Sequence, residues 1–347
     1  MPEPPGYQSP VRRHSGDEPV DSIAPMATTR LYRDGTLVDS DFPVERISDH
    51  LAQRGCTVWA DFVSPTEADL ASIGEELGLH ELAVEDAVHA SQRPKLDRYD
   101  THLFLAAYAV SLDVGTGELS TAEVKAFITP QALITVHGPE FDIHRVVAHW
   151  DQDRDLAGHG VSYLLWGLLD EIVDGHFSTV QQLDGELEGL EDVLFDEKPR
   201  DREVQRRSFE LRKSLVLLRR AVLPMREVVN TVLRRDLGAI EPAMAPYFQD
   251  VYDHVLRATE WTESLRDMVA TILETNIALQ GNRMNLIMKK VTSWAAIIAV
   301  PTAITGFFGQ NLQFPGFGTW WGTLVSLALI VAASSVLYVS FRRRDWL

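Results

Sequence analysis

The chain contains one cysteine, Cys56, in 347 residues. That excludes an intrachain disulfide and any zinc site built from several thiolates, and it permits a reducing compartment. Positive charge is also scarce: 32 Lys and Arg stand against 50 Asp and Glu, for a formal net charge of −18. A surface of that sign repels phosphate backbones, which argues against nucleic acid as a partner. It suits a protein that gathers cations. No Gly-rich phosphate loop, nucleophile elbow or HExxH pair occurs, so no catalytic constellation supports an enzyme. Residues 1–27 carry Pro2, Pro4, Pro5, Pro10, Pro19 and Pro25 and no apolar core run. They read as a disordered tail rather than a secretory signal.

The scarcest feature, local absence of charge, marks two stretches. Val291–Phe308 and Trp320–Phe341 contain no charged residue over 18 and 22 positions. A bilayer core of ~30 Å needs about 20 helical residues, so each run is a candidate transmembrane helix (291–308 and 320–341). The competing reading is a pair of buried helices in a large soluble domain. The flanks favour the membrane. Arg283, Lys289 and Lys290 precede the first run, and Arg342, Arg343 and Arg344 follow the second. The outer loop 309–319 has neither Lys nor Arg. By the positive-inside rule both termini, including the basic tail 342–347, face the cytoplasm. Trp320 and Trp321 fit an interfacial belt at the outer surface.

Drawn at helical period, the first span is two-sided. Asn285, Met288, Thr292, Ala295, Ala299, Thr302 and Gly306 fall on one side, with Val291 at its edge. Trp294, Ile297, Ile304 and Phe308 fall on the other. The small, weakly polar stripe is either a seam for close helix packing or the wall of a pore formed by several copies. Pro301 removes a backbone donor and is expected to bend this span.

Ahead of the membrane, residues 28–150 alternate strand and helix signals and form an α/β layer domain. "TVWADF" and "LFLAAYAVSL" are strands. "EVKAFITPQALITVHG" is a hairpin turning at Thr129-Pro130-Gln131. "SPTEADLASIGEELGL" is a helix, with Ser64 expected as N-cap and Glu67 completing a capping box. His137, His144 and His149 have no metal-site spacing and read as surface or core histidines. Residues 151–240 hold paired helices, Val161–Phe195 and Arg202–Arg235. A stalk helix, 241–290, then starts near Pro242–Pro246 and runs into the first span, with Gly281 its one weak point before the membrane. The acidic run "DGELEGLEDVLFDE" is either a solvated face or a cation-accumulating one.

The tripeptide Gly309-Gln310-Asn311 after a Pro-containing span resembles the Gly-Met-Asn signature of the CorA-type divalent cation transporters, a superfamily that includes ZntB and Mrs2 proteins. "LGLHELAVEDAVHASQRPKLDRY" from Leu77, "ALITVH" from Ala132, "LLWGLLDEIVDGHF" from Leu164 and "YFQDVYDHV" from Tyr247 also resemble that family, in the family's order. The resemblance implies an α+β cytoplasmic domain, a long stalk helix and two transmembrane helices, assembled as a funnel-shaped homopentamer in the inner membrane of a bacterial-type cell. It implies that five first spans line the pore, that Asn311 rings the outer mouth, and that Met288 and Val291 form an apolar constriction with Asn285 and Glu274 below. It also implies closure by cytoplasmic Mg2+ bound between Asp86 and Asp250 of neighbouring subunits.

The implied cargo is a divalent cation. Mg2+ gives up its water reluctantly, and neutral amide oxygens at Asn311 hold a hydrated ion without trapping it. Gln310 departs from the family's methionine, as in members that carry Zn2+. Yet the stripe has no His or Cys for zinc. Mg2+ is therefore expected, with Co2+ or Ni2+ as other hydrated cargo. A zinc transporter, proton-coupled or not, is the alternative, and a non-conducting membrane scaffold or sensor of the same fold is a third reading.

Overall fold

The computed structural model of the protein describes residues 27–89, 93–113, 115, 117–196, 200–234, 238, 240–310 and 315–347. Residues 1–26 of the expected tail lie outside the described residues, and Ala27 already belongs to a strand. The chain divides into two compact units. One contains residues up to Val180 together with Leu217–Trp261, and the other contains Gln181–Val216 with Thr262–Leu347.

The first unit is built on a seven-stranded sheet. In chain order the strands are β1 (Ala27–Arg33), β2 (Thr36–Ser40), β3 (Cys56–Val63), β4 (Lys95–Arg98), β5 (Leu103–Asp113), β6 (Glu118–Ile128) and β7 (Ala132–His137). Their order across the sheet is β2-β1-β3-β7-β6-β5-β4. Only β3 and β7 run parallel; the other neighbours are antiparallel. The central strands β3, β7 and β6 are rich in β-branched and aromatic residues because both faces are covered. Asp34 and Gly35 join β1 to β2 with φ of 48° and 80°, the left-handed pair a two-residue hairpin turn needs. The predicted hairpin turn is also present, with Thr129 Oγ1 accepting from Ala132 N at 2.8 Å.

Side chains alternate along these strands and so feed two cores. Phe104, Phe127 and Ile134 point to one face, where helices α1 (Ile47–Leu51), α2 (Glu67–Leu77) and α3 (Glu81–Val88) add Ile47, Leu70, Ile73 and Ala83. Leu105, Leu133 and Trp59 point to the other. There α4 (Ile143–Gln152) and the start of α5 (Val161–Leu194) add Val146, Trp150, Leu165 and Leu169. Burying each such side chain contributes about 1.5–3 kcal/mol. Helix α2 is capped by Thr66, not by Ser64. Asp69 N donates to Thr66 Oγ1 at 3.3 Å, and the Asp69 carboxylate accepts from Thr66 N at 2.8 Å. Ser64 is unavailable because its N–H donates to His137 O and its φ is 48°, which ends the strand instead of starting the helix.

A buried polar chain crosses the sheet beneath these cores. Trp59 Nε1 donates to Thr135 Oγ1 at 3.0 Å, and Thr135 donates to Asp61. Asp61 faces His137 Nε2 at 3.1 Å, and His137 Nδ1 faces Gly138 O. Each ring nitrogen of His137 faces an acceptor, an arrangement that favours the doubly protonated ring. Burial opposes that charge, but the hydrogen bond and negative charge of Asp61 outweigh it and hold His137 above its ordinary value. It is a core histidine, as the sequence predicts.

Three long helices complete the fold: α5, α6 (Asp201–Val232) and α7 (Ala245–Phe308, 64 residues). Each buries a row spaced alternately by three and four residues. On α6 the row is Val204, Ser208, Leu211, Leu215, Leu218, Val222, Met225, Val229 and Val232. On α7 it is Phe248, Val251, Val255, Ala258, Thr262, Leu265, Val269, Ile272 and Asn276. A strict seven-residue repeat is the signature of supercoiled packing. Ser208, Thr262 and Asn276 put polar groups in the rows, which specify register at some cost in stability. In the second unit Arg207 of α6 donates to Glu186 of α5 at 3.2 Å, and Arg283 of α7 donates to Asp201 of α6 at 2.8 Å.

Helix α5 can approach α4 only because residue 167 is glycine. Trp150 packs edge-on against Trp59 with ring centroids 5.0 Å apart and donates from Nε1 to Leu164 O at 3.2 Å. A Cβ on Gly167 would strike that same indole nitrogen. Gly167→Ala is expected to destabilise the protein by about 1–3 kcal/mol, the cost of overpacking. Urea unfolding followed by Trp fluorescence checks this; an unchanged midpoint would mean that Trp150 moves freely.

Candidate functional site

Two helices of the second unit are long and apolar enough to cross a membrane, the end of α7 and α8 (Trp320–Arg343). Within their most apolar windows only 6% and 0% of residues are buried. Hydroxyls in α7 are satisfied internally. Ser293 Oγ donates to Lys289 O at 2.8 Å, Thr302 Oγ1 to Ile298 O at 3.0 Å and Thr305 Oγ1 to Pro301 O at 2.9 Å. This is the arrangement a water-free surrounding requires. Helix α7 runs through Gly281 and Pro301 without a break.

The partial cover on α7 follows one face: Ser293, Ala296, Ile297, Val300, Ile304 and Phe308 are buried or half-buried. On α8 the matching row is Gly322, Ser326, Ile330, Ala333, Ser334 and Leu337. Where α7 ends and α8 begins, Thr305, Phe308 and Gly309 share a hollow with Trp320, Gly322 and Thr323. Gly322 is required there, since a Cβ would strike the Gly316 carbonyl.

The eight positions expected to line a pore lie on the opposite side. Asn285, Met288, Val291, Thr292, Ala295, Ala299, Thr302 and Gly306 are all exposed within the single chain. Met288 and Val291 are 56% and 58% exposed, so two large apolar residues are more than half uncovered within their own chain. Glu274 is exposed further down the stalk. Gly309 N donates to Thr305 O at 2.8 Å and Gln310 N to Phe307 O at 3.3 Å, which closes the helix. Asn311, the residue on which the expected mouth depends, lies outside the described residues.

The two regulatory candidates occupy different elements of the first unit. Asp86, in α3, holds Lys95 Nζ at 2.7 Å. Asp250 lies exposed on the first turns of α7. It adds its negative charge to a group the sequence reading missed: Asp170 and Asp174 of α5 with His149 and His254. His254 Nδ1 is 3.3 Å from Asp174, and His149 Nε2 is 3.8 Å from Asp170. The i,i+4 spacings Asp170/Asp174 and Asp250/His254 were a legible signal that each pair shares a helix face. Burial, then the charge of Asp174, pushes the Asp170 carboxyl up to about 6, against the pull of His149 and His254. Among the described residues, no group of three or more His, Cys, Asp or Glu side chains is arranged to hold a metal within one chain.

A layered α/β unit, a helix that leaves it for the membrane and two uncovered apolar helices define an integral membrane protein. A family model described as "CorA-like Mg2+ transporter protein" matches residues 55–343. The chain belongs to that family and is a divalent metal-cation transporter. It is 29% identical to the cobalt/magnesium transport protein CorA of Thermotoga maritima, over 83% of each chain. It is 30% identical to the putative metal ion transporter YfjQ of Bacillus subtilis, over 88% of this chain and 94% of that one. The complete structure of the CorA magnesium transporter from Methanocaldococcus jannaschii shares the fold, with a TM-score of 0.74 at 22% identity over 94% of this chain and all (100%) of the other.

The raised carboxyl makes a pH prediction. Asp170 binds its proton more tightly folded than unfolded, so its contribution favours folding at low pH and declines as pH rises from about 4 to about 6. Asp170→Asn should remove that decline and raise the melting temperature at neutral pH in chelator, with little change near pH ~4. A variant melting lower than the parent at neutral pH would show that the charged carboxylate is stabilising there.

Proposed function

We propose that the chain carries Mg2+ into the cell as a homopentamer, down the membrane potential, with α7 of each copy facing a shared axis and α8 outside it. One observation carries this reading. The small, neutral stripe from Asn285 to Gly306 is exposed on the side of α7 opposite its buried and half-buried row. A lone two-span chain encloses no aqueous path, whereas a closed ring of such helices does. Small side chains permit the approach and leave room for a hydrated ion. Each divalent ion entering gains about 4.6 kcal/mol per 100 mV, twice the single-charge value.

Roles follow along the axis. Asn311 receives the hydrated ion at the outer mouth through neutral oxygens, in a Gly309-Gln310-Asn311 motif free of charge. Thr302 and Thr292 offer hydroxyl oxygens lower down. Met288 and Val291 form an apolar neck that closes by excluding water. Asn285 and Glu274 collect the ion below it. Hard oxygen contacts suit Mg2+, with Co2+ and Ni2+ as hydrated cargo of similar size. The stripe has no His or Cys to favour Zn2+. Both termini lie in the cytoplasm of a bacterial-type inner membrane, on the side of Arg283, Lys289, Lys290 and Arg342–Arg344. Cytoplasmic Mg2+ bridging Asp86 of one subunit and Asp250 of the next holds the ring closed, mostly through retained waters.

Two measurements test this in liposomes loaded with ion-sensitive dyes. Asn311→Ala should lower Mg2+ flux about tenfold or more, the cost of losing a hydrogen bond to a charged group, while the oligomer persists. Undiminished flux would remove the mouth ring. Replacing Asp86 and Asp250 together with Ala should leave flux indifferent to internal Mg2+; inhibition equal to that of the parent would place the sensor elsewhere.

A further inference from the structure

The outward face of α8 changes character over its last three turns. From Leu324 to Ala332 no charged residue occurs, and the exposed positions are mostly leucine and valine. Beyond them lies an open hollow of about 480 Å³ lined by Ser335, Val336, Val339, Ser340, Arg343 and Arg344. Most of it is turned away from the row through which α8 is half-covered. Ser335, Val336, Val339 and Arg343 are exposed, and they lie away from Ile330 and Leu337 around the helix. At 1.5 Å per residue, Ser335 and Arg343 stand about 12 Å apart along the axis.

The hollow is thus graded in the way a lipid is. Two valines offer apolar contact, two serines offer hydroxyls and two guanidiniums end it. The guanidiniums are not spent on the protein. Among the described residues Arg342, Arg343 and Arg344 make no ion pair, and neither do Lys289 and Lys290 at the matching end of the α7 span. Asp345, the one carboxylate beside them in sequence, forms no such pair either. In a chain of net charge −18, these five cations have no carboxylate partner among the described residues. Trp346 folds back to stack on Phe341, with ring centroids 5.7 Å apart and planes 5° apart.

We infer that this hollow binds the phosphate of an anionic phospholipid, with its acyl chain along Val336 and Val339 and its headgroup between Ser340, Arg343 and Arg344. Guanidinium is the group best matched to a phosphodiester, since its fork donates two parallel hydrogen bonds. Anionic headgroups attract basic residues next to a span, each contributing about a fivefold gain in affinity. A zwitterionic lipid carries its own ammonium and leaves the arginines uncompensated. The inference rests on the membrane assignment and not on ion movement.

Native mass spectrometry of the full-length chain, in mild detergent with phosphatidylglycerol and phosphatidylcholine in equal parts, tests it. The parent should retain phosphatidylglycerol in preference. Arg343→Gln with Arg344→Gln should weaken retention about twenty-five-fold, two charges at about fivefold each. Arg343→Lys with Arg344→Lys should fall between, keeping charge but not the fork. Arg212→Gln, on the exposed side of α6, should change nothing. Equal retention of phosphatidylcholine, undiminished retention in the Gln pair, or displacement of the lipid by inorganic phosphate or glycerol phosphate would each overturn the inference. If the Gln pair fails to assemble, the Lys pair decides: retention equal to the parent rules out the guanidinium fork. No ion gradient is involved, so a chain that transports nothing would still give a clear answer.

Discussion

The structure depends on one constraint: α7 must be a single helix whose surroundings change along its length. From Phe248 to Asn276 it buries a row at the seven-residue repeat. Beyond Val291 the same helix buries only Ser293 and leaves most side chains exposed. A helix survives both settings because its backbone hydrogen bonds are internal and need neither water nor neighbours. Ser293, Thr302 and Thr305 extend that economy by turning their hydroxyls back onto α7 carbonyls. The soluble unit, the supercoiled rows and the uncovered spans are three answers to what covers this one rod.

Charge is distributed with equal consequence. Carboxylates crowd the soluble unit until one of them, Asp170, is pushed up to about 6 by burial and by Asp174. The spans carry no charge, and the cations collect at their ends. An acidic surface attracts cations. The tripeptide Gly309-Gln310-Asn311 carries no charge and follows the first charge-free run. The family match across residues 55–343 takes in both the acidic unit and the charge-free helices.

Much of this was legible in the residues. The strands TVWADF and LFLAAYAVSL, the turn at Thr129-Pro130-Gln131, the paired helices and the two spans all appear where their patterns put them. Local rules sufficed there, because period and turn chemistry act over a few residues. The N-cap of α2 was misplaced because Ser64 was claimed by a partner distant in sequence, the His137 carbonyl. The carboxylate–histidine group around Asp170 was missed for a similar reason: its members come from α4, α5 and α7. The supercoil rows were present in the spacing of Phe248, Val251 and Val255, yet a helix laid out at 3.6 residues per turn hides a repeat of 3.5.

By itself the sequence determined the class of each segment. Runs without charge select the membrane, alternation selects strands, and the stripe from Asn285 to Gly306 follows from helical period alone. The tertiary structure decided what each face meets. It joined β3 to β7 in parallel, buried Asp61 against His137, placed Trp150 over Gly167 and covered α7 on the side away from Met288. Those outcomes depend on which distant segments come together, and a one-dimensional pattern specifies that a face is apolar without specifying its partner.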